Sequence, residues 1–297
     1  MDHYNRRKHF TEPHLEHKRH LPALEQLQHK IDGALYSISL DGKGAFKFAS
    51  KVCCYTTAGV ISDLNRAILN SLRIDCYSAA EALSRTSLEN SINLMLFGKD
   101  LTSDRPKSML LNYFGTSKKR ARSWRRHAEE SKNTESIKRS REFDQSLDFM
   151  RGLFGDLDES KVKVWPSAYD RFKAAGYEHF YHILFAPASD STHGFSNDIF
   201  NRFLGEMLPM SEKEREEYFE SQQAEKISFA YYLATNSILF HCAAASHIAG
   251  RAEHEEALDE LHIIGKVLET MLVEHETLTK NCLDRLPPAT SCPANNP

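Results

Sequence analysis

The sequence predicts an all-α protein, a multi-helix bundle with no significant β-sheet. Glycine is scarce, at 13 of 297 residues, which is below the usual share of about 7%. The turn residues that would separate many short strands are missing. Apolar residues instead recur at helical spacing along most of the chain. Since 41% of the residues are hydrophobic, the chain has enough apolar material for a sizeable core.

The helices are expected in the following order. The first begins near Pro22, and the turn Asp41-Gly42-Lys43-Gly44 separates it from the second. A short helix at 166–175 has proline in its first turn, and Gly176 follows its end. The acidic stretch from Ser211 is typical of a capped, solvent-facing helix start. The remaining segments share helical periodicity and span residues 45–72, 75–97, 107–114, 119–153, 177–186, 197–208, 212–249 and 253–283.

These segments are expected to form a single helical domain over residues 21–285. Before it, residues 1–20 make up a basic, histidine-rich lead that is predicted to be flexible. Within it, residues from about 115 to 160 are strongly charged, and we interpret them as an insertion. After it, residues 286–297 have the composition of turns and disorder.

Charge and cysteine content narrow the class of protein. The net charge of −3 gives no overall attraction to nucleic acid or to an anionic membrane. None of the 6 cysteines forms a C-x-x-C pair, and no apolar signal segment precedes them, so a reduced, cytoplasmic protein is expected. Residues 229–250 carry no formal charge over about the length that spans a bilayer, but they contain Asn236 and His241, which lipid tolerates poorly. We therefore expect a buried central helix there and no membrane partner.

The predicted helix at 75–97 carries a charged group of residues on one face. Arg85 lies four residues from both Glu81 and Glu89, so the three side chains share that face. One turn further on, the same face becomes Ile92 and is apolar, which points the arginine and Glu89 toward the interior. Burying such a pair costs free energy unless its partners are well placed, and a pair buried at that cost favours a functional role. The alternative is an ordinary salt bridge on a solvated helix face.

Residues 177–194 form the most informative stretch of the chain. An aromatic, helix-like run ends at Pro187, and side chains that exchange protons or form hydrogen bonds follow directly, among them Ser189, Thr192 and His193. Histidine takes up and returns a proton near neutral pH, so His193 is a candidate catalytic residue. The alternative is that Thr192 or Ser191 caps the next helix and His193 fills a polar gap in the core.

A basic stretch near the middle of the chain is the strongest electrostatic feature. It contains six cations and one tryptophan, which are Lys118, Lys119, Arg120, Arg122, Trp124, Arg125 and Arg126. Clustered cations bind phosphate groups, and an exposed tryptophan stacks on bases. A solvated helix face is the alternative interpretation of the same stretch.

No motif in the sequence predicts a metal or another cofactor. P-loop, G-x-G-x-x-G, G-x-S-x-G and H-E-x-x-H patterns are missing. Glu-x-x-His, which a di-iron helical bundle uses, is missing as well. His14, His17 and His20 recur at every third position, but we assign them to the flexible lead rather than to a metal site.

The chain resembles an uncharacterised, mostly bacterial helical family known as domain of unknown function 5677. The resemblance rests on the segment SAAEALSRTSLENSINLML and on the later tyrosine-rich helix that leads into Ser/Thr-His-Gly, and it covers about residues 45–205. The family pattern has an arginine–glutamate helix, a tryptophan-led basic stretch, and a tyrosine helix that ends in a serine and a histidine. The matching residues here are Arg85, Glu89, Trp124, Tyr177 or Tyr181, Ser189 and His193.

The resemblance implies an all-α fold similar to ribonuclease domains of bacterial toxin and antiphage systems. RNA carries its own nucleophile, the 2′-hydroxyl, so a proton-transfer group and a cation for the phosphate are sufficient. We expect His193 and Arg85 to provide these two groups, Glu89 to orient the arginine, and Tyr181 to hydrogen-bond the substrate or the histidine. The basic stretch, Ser189 and Thr192 would bind the substrate.

The expected function is therefore that of a bacterial defence or toxin effector that acts on RNA without a metal. RNA, a protein partner such as an antitoxin, and a second copy of the chain are the partners considered. The alternative is a non-enzymatic helical module that binds a protein or a small ligand and whose buried polar cluster fixes helix register. A fold by itself does not distinguish the two.

Overall fold

The computed structural model describes residues 7–41, 46–152, 162–188 and 197–284. These residues are folded into helices and contain no strand, which confirms the all-α prediction. The longer helices in chain order are α1 Leu21–Ser37, α2 Phe48–Arg73, α3 Tyr77–Lys99, α4 Asp104–Glu130, α5 Thr134–Gly152, α6 Ala168–Ala175, α7 Asn197–Met207, α8 Glu212–Arg251 and α9 Glu255–Asp284.

The core is organised around α8, which packs against α1, α2, α3 and α9. Small side chains such as Ala234, Ala244 and Ala245 are fully buried along α8, and they let neighbouring helices approach closely. The charge-free stretch at 229–250 lies within this helix and is buried as expected. No helix in the described part of the chain combines the length and apolarity that crossing a membrane requires.

Local sequence signals set several helix ends. Ser211 and Glu214 form a reciprocal capping box at the start of α8, as the acidic stretch there predicted. Ser167 caps α6 by accepting a hydrogen bond from the Asp170 amide, and Gly176 ends that helix with φ +91°. At the other end of α8, Arg251 Nη1 donates to the carbonyls of Phe97, Gly98 and Asp100 at 3.2, 3.2 and 2.6 Å, so it closes the last turn of α3.

The charged region, as far as the structure describes it, forms an antiparallel helix pair, α4 and α5. The sequence predicted a break before residue 119 and a continuous helix from there to 153, and both predictions were wrong. Gly115 lies inside α4, and the turn comes at Lys132, which adopts a left-handed conformation with φ +53°. Ala121 and Leu147 are fully buried between the two helices. The pair packs mainly on itself and projects from the central bundle.

The N-terminal segment (residues 7–20) differs from the flexible lead that the sequence predicted. Over the described residues it forms three short helical turns that pack against α8 and α9. His14, His17 and His20 are buried there, and the ring of His17 stacks on that of His275 with centroids 3.6 Å apart. These three residues therefore occupy core positions. The predicted tail at 286–297 lies outside the described residues.

Candidate functional site

The candidate site is built on α3, one face of which is lined with small hydroxyl side chains. Ser84, Ser87 and Ser91 are completely buried on this helix, and α8 packs closely against it. The Oγ atoms of Ser84 and Ser91 have no hydrogen-bond partner within the part of the chain that the structure describes. Arg85 and Glu89 lie beside this face and turn toward α6 and residues 178–188.

Glu89 binds a different arginine from the one that the sequence predicted. Its carboxylate accepts a hydrogen bond from Arg171 Nη2 of α6 at 2.7 Å, with side-chain exposures of 30% for Glu89 and 8% for Arg171. Arg171 also donates to Asn93 Oδ1, and its guanidinium lies 5.4 Å from the Trp165 ring centroid. The prediction that Glu89 orients Arg85 is therefore wrong. Arg171 was missed because its partner is 82 residues away and leaves no local spacing signal.

Arg85 is held by an aromatic ring rather than by a carboxylate. Its guanidinium carbon lies 4.4 Å from the centroid of the Phe185 ring, within the range of a cation–π interaction. Its buried Nε–H has no hydrogen-bond partner among the described residues. Arginine keeps its charge in proteins, so this side chain offers a cation with an unused donor. Such a group is suited to binding an anion.

Tyr181 and Arg85 both contact the ring of Phe185. Residues Tyr181–Phe185 form a π-helical turn, and the rings of Tyr181 and Phe185 stack with centroids 5.4 Å apart. Single π turns inside helical segments often occur at functional sites. Tyr177 instead packs on Phe240 of α8 at 4.9 Å, where burial raises the pKa of its hydroxyl. Of the two candidate tyrosines, Tyr181 is therefore the one that shares a contact with Arg85, the Phe185 ring.

The remaining members of the predicted site follow Ala188 in the chain. Ser189, Thr192 and His193 lie outside the described residues. Ala188 is itself buried three residues after Phe185. The described part of this segment thus ends three residues after Phe185, the ring that Arg85 contacts, and the meeting of His193 with Arg85 stays a prediction.

The basic stretch lies on α4, and its cations fall into two groups. Lys118 and Arg125 pair with Asp148 and Asp144 of α5, the latter at 2.7 Å. The others are exposed and form no ion pair within the described residues; they are Lys119, Arg120, Arg122 and Arg126. Trp124 is 41% exposed on the same helix. The exposed cations and the tryptophan form what we call the basic face of α4.

A second polar cluster lies deep in the bundle and was not predicted from the sequence. Asn65 Nδ2 donates to Gln28 Oε1 at 2.8 Å, and Ser87 Oγ donates to Asn65 Oδ1 at 2.6 Å. The ring nitrogen Nδ1 of His241 lies 3.2 Å from Gln28 Nε2. All four side chains are sealed from solvent, and burial lowers the pKa of His241 to about 3. This cluster ties α1, α2, α3 and α8 together in one register.

No site for a resident metal is visible in the residues that the structure covers. Across 7–41, 46–152, 162–188 and 197–284, no three His, Cys, Asp or Glu side chains are grouped closely enough to hold a metal ion. The described cysteines Cys53, Cys54, Cys76 and Cys242 are free thiols, and burial raises the pKa of Cys54 to about 12.

Comparison with known protein families matches residues 53–209 to the Family of unknown function (DUF5677). The matched region covers more than half of the chain and contains Arg85, Glu89, Trp124, Tyr181 and His193. Searches of curated proteins and of solved structures found no match. By its matched region and its helical structure, the chain belongs to the Family of unknown function (DUF5677).

Proposed function

We propose that the chain is a cytoplasmic defence or toxin effector that binds RNA along the basic face of α4. The observation that carries the proposal is that four cations on one helix are exposed and unpaired within the described residues, beside a half-exposed tryptophan. The two cations that α5 neutralises, Lys118 and Arg125, lie on the side of the helix that faces α5.

The arrangement suits a flexible phosphate backbone. Lys119 and Arg126 are seven residues apart, which is about 10 Å along a helix. The protein as a whole is acidic, with a net charge of −3, so attraction to RNA would be confined to this face. Trp124 would stack on a base while the neighbouring cations neutralise phosphates.

The chemistry we propose is metal-independent cleavage at Arg85. The 2′-oxygen of the RNA would form a bond to the adjacent phosphorus while the bond to the 5′-oxygen breaks, which leaves a 2′,3′-cyclic phosphate. His193 is proposed to accept the 2′-hydroxyl proton, and the departing 5′-oxygen takes up a proton. Arg85 would stabilise the charge on the phosphate with its unused donor. Tyr181 would line the same site. Glu89 has a supporting role, since it fixes α6 against α3 through Arg171.

RNA binding is tested by titration of labelled single-stranded RNA at several salt concentrations. The variant Arg122→Ala/Arg126→Ala should bind at least tenfold more weakly, with a shallower dependence of affinity on salt. The matched control is Lys30→Ala/Arg66→Ala, which removes the same charge from exposed positions on α1 and α2. Equal affinity for the two variants would refute the basic face as the RNA site.

Cleavage is tested on the same RNA in the presence of EDTA. Wild-type protein should produce fragments with cyclic phosphate ends, and soluble His193→Ala and Arg85→Ala proteins should not. RNA that survives intact with wild-type protein, both alone and on induced expression in bacteria, would contradict the catalytic part of the proposal while leaving the binding part intact.

The second candidate function is a non-enzymatic helical module. The sealed cluster of Gln28, Asn65 and His241 favours it, since these polar residues serve helix register and are closed to a substrate. Under this alternative the protein binds a partner without altering it. This alternative differs from the nuclease in predicting that RNA stays intact in the cleavage assay.

A further inference from the structure

Helix α7 is fastened to the bundle along one side. Gly205 lies against α8 so closely that a side-chain carbon there would come within 2.6 Å of the Phe219 ring. The Asn201 side chain donates to Gln222 at 2.6 Å, and the Tyr218 hydroxyl donates to the Asn201 carbonyl at 3.2 Å. The helix is therefore held in a fixed orientation on α8.

The opposite side of α7 is a row of large apolar side chains in solvent. Ile199, Phe200, Phe203 and Met207 are 63, 60, 58 and 67% exposed. Their spacing places all four on one stripe of the helix. Scattered exposed apolar residues are ordinary, but a contiguous row on an anchored helix marks an interaction surface.

The charges around the stripe limit the kinds of partner that could bind it. The neighbouring start of α8 is strongly acidic, with exposed side chains at Glu212, Glu214, Glu216 and Glu220. An acidic surround repels RNA and anionic lipid surfaces. An apolar protein surface is therefore the kind of partner that fits.

The two charged residues that border the stripe are complementary to each other. Arg202 and Glu206 are exposed and four residues apart. Within the same chain, the Arg202 guanidinium lies 5.2 Å from the Phe219 ring centroid, and Glu206 makes a long ion pair with Arg215 at 3.9 Å.

If two α7 helices pack antiparallel about a two-fold axis at Leu204, Arg202 of each copy faces Glu206 of the other. The same axis brings Phe200 of one copy to Leu208 of the other, and both are exposed apolar residues. A two-fold interface requires this self-complementarity.

We propose that a second copy of this chain covers the apolar face of α7, so that the protein is a two-fold dimer. The interface uses neither the basic face of α4 nor Arg85, and it does not depend on the function proposed above. It removes from water the four aromatic and aliphatic side chains that each copy otherwise exposes.

The first test is sedimentation equilibrium of the full chain between about 5 and 100 µM, a range in which specific homodimers are populated. Wild-type protein should be dimeric. Phe203→Lys places a charge in the centre of the stripe and should raise the dissociation constant at least tenfold. Ile263→Lys, on α9 at a similar exposure of 66%, should leave the dimer unchanged. A monomeric wild type, or a Phe203→Lys protein that dimerises normally, would overturn the proposal.

A second test does not depend on how any one variant folds. Arg202→Glu and Glu206→Arg should each be monomeric alone, because like charges then face each other across the axis. When the two variants are mixed, each contact again joins opposite charges, and a mixed dimer should form. Failure of the mixture to dimerise, when circular dichroism shows both variants to be folded, would rule out the antiparallel arrangement.

Discussion

Arg171 and Glu89 form an ion pair between α6 and α3 although 82 residues separate them in the chain. The arginine is almost fully buried and the carboxylate about one-third exposed. The pair joins the short α6 helix to the helix that carries Arg85. It therefore holds α6 against the helix that carries Arg85.

Arg171→Ala should lower the free energy of unfolding by about 2 kcal/mol, because it leaves Glu89 and Asn93 without their partner. Urea denaturation measures the change. Arg66→Ala, which breaks an exposed pair with Asp63, should cost less than about 0.5 kcal/mol and serves as control. If both substitutions have the same small effect, the buried pair does not stabilise the fold.

Arg85→Lys should separate function from stability. Lysine keeps the charge but loses the planar group that lies on Phe185, so the free energy of unfolding should fall by only about 1 kcal/mol. RNA cleavage should fall at least tenfold. If Arg85→Lys loses as much stability as Arg171→Ala and keeps its cleavage activity, the role of Arg85 is structural.

The cations of α4 should contribute unequally to RNA binding. Arg122→Ala should reduce the salt slope of RNA affinity by about 0.7, the value for one phosphate contact on a single strand. Arg125→Ala should change the slope less, because Asp144 already neutralises that arginine. The Arg125→Ala substitution should instead lower the stability of the α4–α5 pair. Titrations at three salt concentrations compare the two variants, and equal slopes would contradict the division into exposed and paired cations.

Stability should fall as the solution becomes acidic. Burial lowers the pKa of His17 to about 4, of His241 to about 3 and of His275 to about 2, from an ordinary value of 6.5. The neutral rings are favoured in the folded state, so their full contribution is present above pH 6.5 and is lost as the pH falls toward the folded-state values. Each histidine contributes a slope of up to about 1.4 kcal/mol per pH unit below pH 6.5.

Urea denaturation at pH 7.5, 6.5 and 5.5 measures this slope. His17→Gln should make it shallower, while His262→Gln, at an exposed position on α9, should leave it unchanged. If the unfolding free energy of His17→Gln changes with pH below 6.5 as steeply as that of the wild type, His17 does not take up a proton on unfolding.

Arg251→Ala should destabilise the junction of α3 and α8. Three carbonyls at the end of α3 lose their shared donor, and the guanidinium no longer covers Phe46, whose ring centroid lies 4.1 Å away. A loss of about 2 kcal/mol is expected. Hydrogen exchange should localise the change to residues 97–100, and protection there equal to wild type would contradict the capping role.

The parts of the fold that depend on short-range pattern could be predicted from the sequence. Apolar residues at helical spacing located α2, α3, α8 and α9 to within a few residues. The capping signals at Ser211 and Gly176 placed two helix ends correctly. The turn between α4 and α5 was misplaced because an exposed glycine resembles a helix break. Lysine has no preference for the left-handed conformation that Lys132 adopts, so its residue type did not predict the turn.

The candidate site was predictable only where its residues are local. Arg85 was selected from the spacing of charges on one helix and Tyr181 from the family resemblance, and the structure brings their helices together through Phe185. Arg171 and the cluster around Asn65 depend on side chains that meet only after folding, so no spacing rule reveals them. The histidines of the N-terminal segment were assigned to a flexible lead because a basic, polar composition is typical of solvent-exposed chain, whereas in the fold His14, His17 and His20 are buried.

The position of α8 has a consequence for where this protein can be divided. The region that matches the family ends at residue 209, and α8 begins at Glu212. α3 packs along α8, and His241 completes the cluster that begins with Gln28 and Asn65. A fragment cut to the family boundaries would expose the inner surface of α3 to water. We therefore expect the shortest stretch that folds by itself to be longer than the region that the family model matches, and the first half of the chain to close only after α8 has been synthesised.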